Sequence, residues 1–187
     1  MLNDSEKTLD LRPTISTSRL VLRPFQIEDA KRVQQLAGHP LVAATTATIP
    51  HPYSDGIAES WIGQHLKWFQ TGQGVQFAIV SRSLNTLIGC IDLSISAHQS
   101  RAELGYWIGV DFWNQGYCTE AAKAVIHFGF TNLNLNKITS RHLSSNPSSG
   151  KVMIKAGMRK EGLLRSEFLK NGQFHDLEVY GILRAEN

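Results

Sequence analysis

Cysteine is nearly absent: Cys90 and Cys118 are the only two in 187 residues. Two thiols make no disulfide framework, and their scarcity suits a reducing compartment. Long apolar runs are missing as well. None approaches the ~18 residues that a membrane-crossing helix needs. The segment from Met1 to Pro13 is polar and lacks the apolar core of a secretion signal. A cytoplasmic protein with no membrane partner is therefore expected. Charge of either sign is sparse, 19 Lys and Arg against 16 Asp and Glu. Only Lys151, Lys155, Arg159 and Lys160 stand close together. That falls short of the dense basic stripe of a nucleic-acid binder, so no direct nucleic-acid binding is expected. The formal charge of +3 would suit an anionic small molecule. The seven histidines are scattered and Cys-x-x-Cys does not occur, so no metal is expected. Gly-x-Ser-x-Gly and a Gly-Lys-Ser/Thr loop are missing too, which disfavours a serine hydrolase or an NTPase.

What is present is an ordinary globular composition. Hydrophobic residues make up 42% and charged residues 19%, which allows a sizeable core and argues against disorder. One domain over residues 17–187 is the simplest expectation, behind a loose leader over 1–16. Ser18 to Phe25 alternates Leu20 and Leu22 with Arg19, Val21 and Arg23, as a half-buried strand does, and Pro24 marks its end. Ile27 to Ala37 reads as a helix with Glu28 and Asp29 in its first turn. His39 to Tyr53 is the least regular stretch, broken by Pro40, Pro50 and Pro52. Asp55 to Gln70 is helical again. Val75, Phe77 and Ile79 begin a second strand, Leu87 to Ile95 alternate along a third, and Ala102 to Val110 make a fourth. A largely buried helix follows, carrying Ala121, Ala122, Val125, Ile126 and Phe128. Lys137 to Leu143 is a fifth strand and Ser149 to Ala156 a short helix. Met158 to Leu169 then pairs with Gln173 to Leu183 across the Asn171-Gly172 turn. This order predicts a mixed α/β domain.

The most informative stretch lies between the fourth strand and the buried helix. It runs Leu104-Gly105-Tyr106-Trp107-Ile108-Gly109-Val110-Asp111-Phe112-Trp113-Asn114-Gln115-Gly116-Tyr117-Cys118-Thr119-Glu120. A loop feeding a helix start points several backbone N–H groups at one spot, where the helix dipole also favours negative charge. Gly116 is needed if the backbone is to approach a ligand closely. Strand, glycine turn and helix also describe ordinary packing. Cys118 at this helix start would have a lowered thiol pKa, or serve as a small packing residue.

Gly-Tyr-Trp-Ile before the turn, Gln-Gly-Tyr-Cys-Thr-Glu-Ala after it and Asn146-Pro147-Ser148-Ser149 downstream resemble the GNAT family of N-acetyltransferases. The likeness is to its RimJ/RimL branch, which acetylates N-termini of ribosomal proteins. The family's phosphate signature, Arg/Gln-x-x-Gly-x-Gly/Ala, maps onto Trp113 to Cys118 and departs from it at both ends. The resemblance implies a mostly antiparallel sheet of six to seven strands with helices on both faces and the fourth and fifth strands splayed. It implies acetyl-CoA as co-substrate and an amine acceptor, a ribosomal-protein N-terminus among the candidates. The backbone of Ile108, Gly109 and Val110 would pair with the pantetheine arm. Amides of Asn114, Gln115, Gly116, Tyr117, Cys118 and Thr119 would hold the pyrophosphate. Asn146 would meet a pantetheine amide, and Ser149 would donate to the departing sulfur. Asn-Pro-Ser-Ser also makes an ordinary loop and helix cap.

Direct acetyl transfer needs a neutral amine, a polarised carbonyl and a protonated leaving group. A strand N–H near Ile108 would polarise the thioester oxygen. Glu103 and Glu167 are the candidate bases: Glu103 on the side of Gly105 and Trp107, Glu167 in the C-terminal hairpin where RimL-like proteins carry a glutamate. A surface carboxylate is the equal alternative for Glu103. His142 and His175 are further basic groups, though a lone strand histidine is more often structural. Tyr53, Trp61 and Trp68 would shape the acceptor side, at least one of them as core. A small amine (a polyamine, amino acid or antibiotic) and a non-catalytic CoA sensor are the alternative functions. A monomer or a homodimer is expected.

Overall fold

The computed structural model describes residues 12–187; positions 1–11 of the expected leader lie outside the described residues. The strands are β1 (Ile15–Ser16), β2 (Leu20–Arg23), β3 (Gly74–Ser81), β4 (Thr86–Ser96), β5 (Arg101–Ile108), β6 (Lys137–Leu143), β7 (Arg159–Lys170) and β8 (Gln173–Leu183). They form one eight-stranded sheet in the order β1-β2-β3-β4-β5-β6-β8-β7. Only the β5–β6 pairing is parallel. Six to seven strands were expected. The difference arises at β1, where Ile15 and Ser16, placed in the leader, pair with Leu22 and Val21. The strands expected as fourth and fifth are therefore β5 and β6.

The helices are α1 (Ala30–Ala37), α2 (Pro40–Thr45), α3 (Ile57–Gln70), α4 (Tyr117–Thr131) and α5 (Pro147–Lys155). A 3-10 turn, Ile27–Asp29, leads into α1. Helix α2 corrects the irregular reading of His39 to Tyr53. Pro40 sits in its first turn, where the missing N–H costs nothing, and the His39 ring accepts the Leu41 N–H at 3.2 Å. Helix α5 begins two residues before the expected Ser149, again with a proline at its start.

Helices cover both faces of the sheet, so β3 and β4 are apolar on both sides. On one face α4 and α5 pack on Leu22, Phe77, Ile91, Leu93, Leu104 and Ile138. On the other, α1 and α3 pack with Phe25, Val33, Ala58 and Ile62 on Ala78 and Cys90. No described helix is long and apolar enough to cross a membrane.

The sheet opens in its middle. β5 and β6 share register only from Arg101–Lys137 to Glu103–Thr139. Beyond that point β5 stays with β4, and β6 stays with β8 as far as Leu143–Leu177. Ser140 Oγ closes the apex by donating to the Leu104 carbonyl at 2.8 Å. The two strand edges beyond it part, leaving a wedge in the sheet.

Candidate active site

The chain leaves the wedge at Ile108 through a 3-10 turn, Val110–Phe112, and enters α4 by way of Asn114 and Gly116. Both are left-handed, at φ 61° and 78°. That conformation costs a residue with a Cβ about 1–2 kcal/mol, so glycine suits the second position. No side chain caps α4. The N–H groups of Tyr117, Cys118 and Thr119 therefore lack intrahelical partners at the positive end of the helix dipole. The turn is braced from within: the Trp113 indole donates to the Ile108 carbonyl at 2.7 Å, and Gln115 Nε2 to the Asp111 carbonyl at 2.9 Å.

A second brace comes from the segment before β2. Arg19 Nη1 donates to the Gln115 carbonyl at 2.9 Å, and its guanidinium lies 4.6 Å over the Tyr117 ring. Glu120 accepts from Thr17 Oγ1 at 2.6 Å, Ser18 Oγ at 3.0 Å, Arg19 N at 2.9 Å and Arg19 Nε at 2.7 Å. Burial alone would raise this carboxyl, but the bonds from Thr17, Arg19 and Ser18 outweigh it and bring it down to about 2. The sequence by itself gives neither Glu120 nor Arg19 a part here. Their separation by about a hundred positions hid the pairing.

Ser149 faces the wedge from the first turns of α5. Its hydroxyl lies 2.8 Å from the Tyr106 hydroxyl, which also donates to the Ser149 carbonyl at 3.0 Å. Tyr106 comes from the parted stretch of β5. Burial raises its phenol well above the ordinary value, so the pair consists of two neutral hydroxyls near neutrality. Tyr106 stands in the quoted motif, yet no role was read for it. Asn146 occupies the N-cap position of α5 without capping it. Instead its Nδ2 donates to the Thr45 carbonyl at 3.1 Å, tying the loop to the end of α2. The Lys170 ammonium grips the same helix end through the carbonyls of Ala43 and Thr46. Cys118 is not activated by the helix start, because burial pushes its thiol up to about 12.

The opposite face of β5 lines a cleft of about 550 Å³. Tyr53, Trp61, Trp68 and Trp107 form much of its wall, with Gln76 and Asp92 from the sheet. Asp92 sits opposite Gln76 on β3 and Gly105 on β5. Burial pushes its carboxyl up to about 7; the charge of Glu103 adds to this, and a hydrogen bond with Ser94 opposes it. Gln76 Oε1 is buried with no hydrogen-bond partner among the described residues. His65, behind Trp61 and Trp68, is fully buried, and burial holds it down to about 4, hence neutral.

The expected bases are not brought together. Glu103 lies on the Gly105 and Trp107 face, but at the closed end of the wedge, where Arg141 Nε pairs with it at 2.8 Å. Glu167 lies on an exposed bulge of β7, in a separate shallow groove with Ser166 and Asp176. His142 is packed beneath Gly150 of α5 and bonds the Leu143 carbonyl at 2.8 Å. His175 is on β8 opposite Phe168. Among the described residues no group of His, Cys, Asp and Glu is arranged to hold a metal ion.

Comparison with known proteins agrees with this geometry. Residues 19–159 match the acetyltransferase (GNAT) domain. The N-acetyltransferase p20 of Bacillus licheniformis is 32% identical over 175 residues, covering 92% of this chain and 97% of that protein. The ribosomal-protein-serine acetyltransferase of Escherichia coli is 29% identical over 112 residues, 59% of this chain and 62% of that one. The fold of the Vibrio cholerae spermidine N-acetyltransferase, solved with CoA and spermine, superposes with a TM-score of 0.78 at 23% identity, covering 91% of this chain and 98% of that one. Enzymes of this family use acetyl-CoA, and the uncapped α4 with its left-handed glycine fits that ligand's pyrophosphate. The chain belongs to the GNAT family of N-acetyltransferases.

Proposed function

We infer that this enzyme moves an acetyl group directly from acetyl-CoA to a primary amine, and that the amine is a protein N-terminus. One observation carries the reading: the wedge between β5 and β6 has a hydroxyl pair on one face and an aromatic cleft with a carboxylate on the other. The ribosomal-protein acetyltransferase among the relatives supports the acceptor class. When bound, acetyl-CoA supplies an activated acetyl thioester. The backbone of Ile108, Gly109 and Val110 lines the pantetheine arm, and the amides from Asn114 to Thr119 hold the pyrophosphate. The Ile108 carbonyl already accepts from Trp113, so a pantetheine N–H uses its second lone pair. Asn146 has its amide nitrogen on Thr45 and offers Oδ1. Ser149 hands its proton to the departing sulfur and is itself oriented by Tyr106.

Direct transfer asks mainly for positioning, worth about 7–11 kcal/mol in well-oriented systems. An α-amine, with a pKa of about 7.7–8.0, has an appreciable neutral fraction near physiological pH, whereas a lysine near 10.4 has almost none. The test uses purified protein, acetyl-labelled acetyl-CoA and a cell extract split into protein and small-molecule fractions. Label at protein N-termini is the expected result. Label only in small molecules would reassign the acceptor. Acetyl-CoA binding without transfer would indicate a sensor.

A further inference from the structure

We propose that Asp92 and Gln76 form the site that receives the acceptor's ammonium group, and that Asp92 takes the proton that frees the amine for attack. This rests on the reading of the protein as an amine acetyltransferase and assigns the base and the substrate class. Three features point to it. Asp92 and Gln76 are cross-strand partners, so both side chains rise from the same face into the same cleft. Gln76 is only 7% exposed, yet its Oε1 has no partner among the described residues. A buried amide oxygen without a donor is costly, and an ammonium group is the donor that would satisfy it. Third, Gly105 leaves the space over β5 to Asp92: a Cβ there would sit 2.7 Å from Asp92 Oδ1. The carboxylate thus rests against β5 inside its parted stretch, whereas Glu103 lies at the apex with Arg141.

The walls define the kind of amine. Trp61, Trp68, Trp107 and Tyr53 line the cleft with aromatic rings, which suit a cation and its apolar stem. Asp92 is the one carboxylate lining the cleft among the described residues. The site fits a single ammonium on an apolar stem, such as the N-terminus of a peptide with an apolar first side chain. A polyamine, with several charges, would bring more cations than this cleft can pair.

The proton balance is complete without another reagent. The ammonium gives one proton to the Asp92 carboxylate, which later returns it to solvent. The nitrogen then bonds the acetyl carbon as the carbon–sulfur bond breaks. Its second proton leaves as the amide forms and restores to the Ser149 oxygen the proton that Ser149 gave to the sulfur, which departs as the thiol. Asp92 near 7 is close to the pKa of an α-amine, about 7.7–8.0, so this exchange is nearly balanced. The other groups facing Asp92 are Glu103 on β5, Cys90 and Ser94 on β4 and Tyr53 before α3. α1 presents Val33 and Ala37, and α3 its tryptophans.

The experiment compares the wild type with Asp92→Asn and Asp92→Glu, each checked for folding by thermal unfolding. One readout needs no turnover: quenching of tryptophan fluorescence by 2-phenylethylamine and by spermidine, with CoA present. The second is the pH profile of kcat/KM on a peptide with a free apolar N-terminus. The wild type is expected to bind phenylethylamine more tightly than spermidine, and Asp92→Asn to lose that binding at least tenfold. Its kcat/KM should pass through a maximum between Asp92 ionisation near 7 and the amine's own pKa. Asp92→Asn should fall roughly 10²- to 10⁴-fold near neutrality, lose the descending limb, and rise through the amine pKa. Asp92→Glu should restore part of the rate. Unchanged amine binding or an unchanged pH profile in Asp92→Asn would overturn the proposal and leave the acetyltransferase reading intact. Tighter binding of spermidine would overturn the substrate class. If the wild type acetylates nothing, the acetyltransferase reading fails, and the amine-binding arm still decides whether Asp92 and Gln76 receive ammonium.

Discussion

Ser149, Tyr106 and Gly116 each do work that a single atom change can expose. With the Tyr106 proton on the Ser149 carbonyl at 3.0 Å, the Ser149 proton spans the 2.8 Å to the Tyr106 oxygen and, on the proposed mechanism, turns from there to the sulfur. Ser149→Ala should therefore reduce kcat by roughly 10²-fold or more, the range of a lost proton donor, while calorimetry shows acetyl-CoA affinity nearly unchanged. Tyr106→Phe should lower kcat less, because Ser149 keeps its proton and loses only its orientation. Gly116 is a matter of backbone. Its φ of 78° is strained for any side chain, so Gly116→Ala should cost about 1–2 kcal/mol in urea unfolding. It should also weaken acetyl-CoA binding, since the turn has to relax. Sequence alone draws attention to Gly116 by its place before a helix start, although strand, glycine turn and helix also describe ordinary packing. It does not show Tyr106 or Asp92 so readily. Asp92 leaves one trace, a charge between Ile91 and Leu93 in a strand buried on both faces. That trace is meaningful only once β3 supplies Gln76 as its partner.

The elements that shape the wedge are joined by contacts far apart in sequence. Glu120 fastens the segment before β2 to the first turn of α4 with four hydrogen bonds. Its carboxyl falls from an ordinary value near 4.5 to about 2 in the folded protein. A depressed carboxyl stabilises the fold above the higher value and loses that contribution as pH drops towards the lower one. Urea midpoints of the wild type should thus decline between about 4.5 and 2, and Glu120→Gln should decline less steeply there. β4 and β5 meet closely at Gly89, where a Cβ would lie 2.3 Å from the Trp107 carbonyl oxygen. Gly89→Ala should destabilise the protein by about 1–3 kcal/mol in the same assay. Strands, long helices and the Asn171-Gly172 hairpin were legible because alternation and turn chemistry are local. Helix α2 was not. Pro40 reads as a breaker unless it is known to stand in the first turn, with His39 as the cap. The two glutamates proposed as bases show the same limit. Arg141 reaches Glu103 from a neighbouring strand, and the bulge in β7 places Glu167 in another groove.

Across the whole molecule, the parting of β5 from β6 is what, on the proposed reading, lets one sheet serve two substrates. Three register pairs hold the strands together, and their edges then diverge. The turn proposed for the cofactor lies at the far end of β5, the hydroxyl pair on one face and the aromatic cleft on the other. Such a layout suits the proposed direct transfer, in which an amine and a thioester meet without an enzyme-bound acetyl intermediate. Cys118, a thiol beside the turn, is held protonated by burial, which supports direct transfer. The family resemblance supplies expectations for the cofactor side from a few motifs, while the proposed acceptor side needed the assembled sheet. The most direct test is intact mass spectrometry of enzyme and acceptor peptide together, after brief mixing with acetyl-CoA. Direct transfer predicts one acetyl group on the peptide's α-amine and an enzyme of unchanged mass at every time point. An acetylated enzyme that forms first and passes its acetyl group to the peptide would contradict the account.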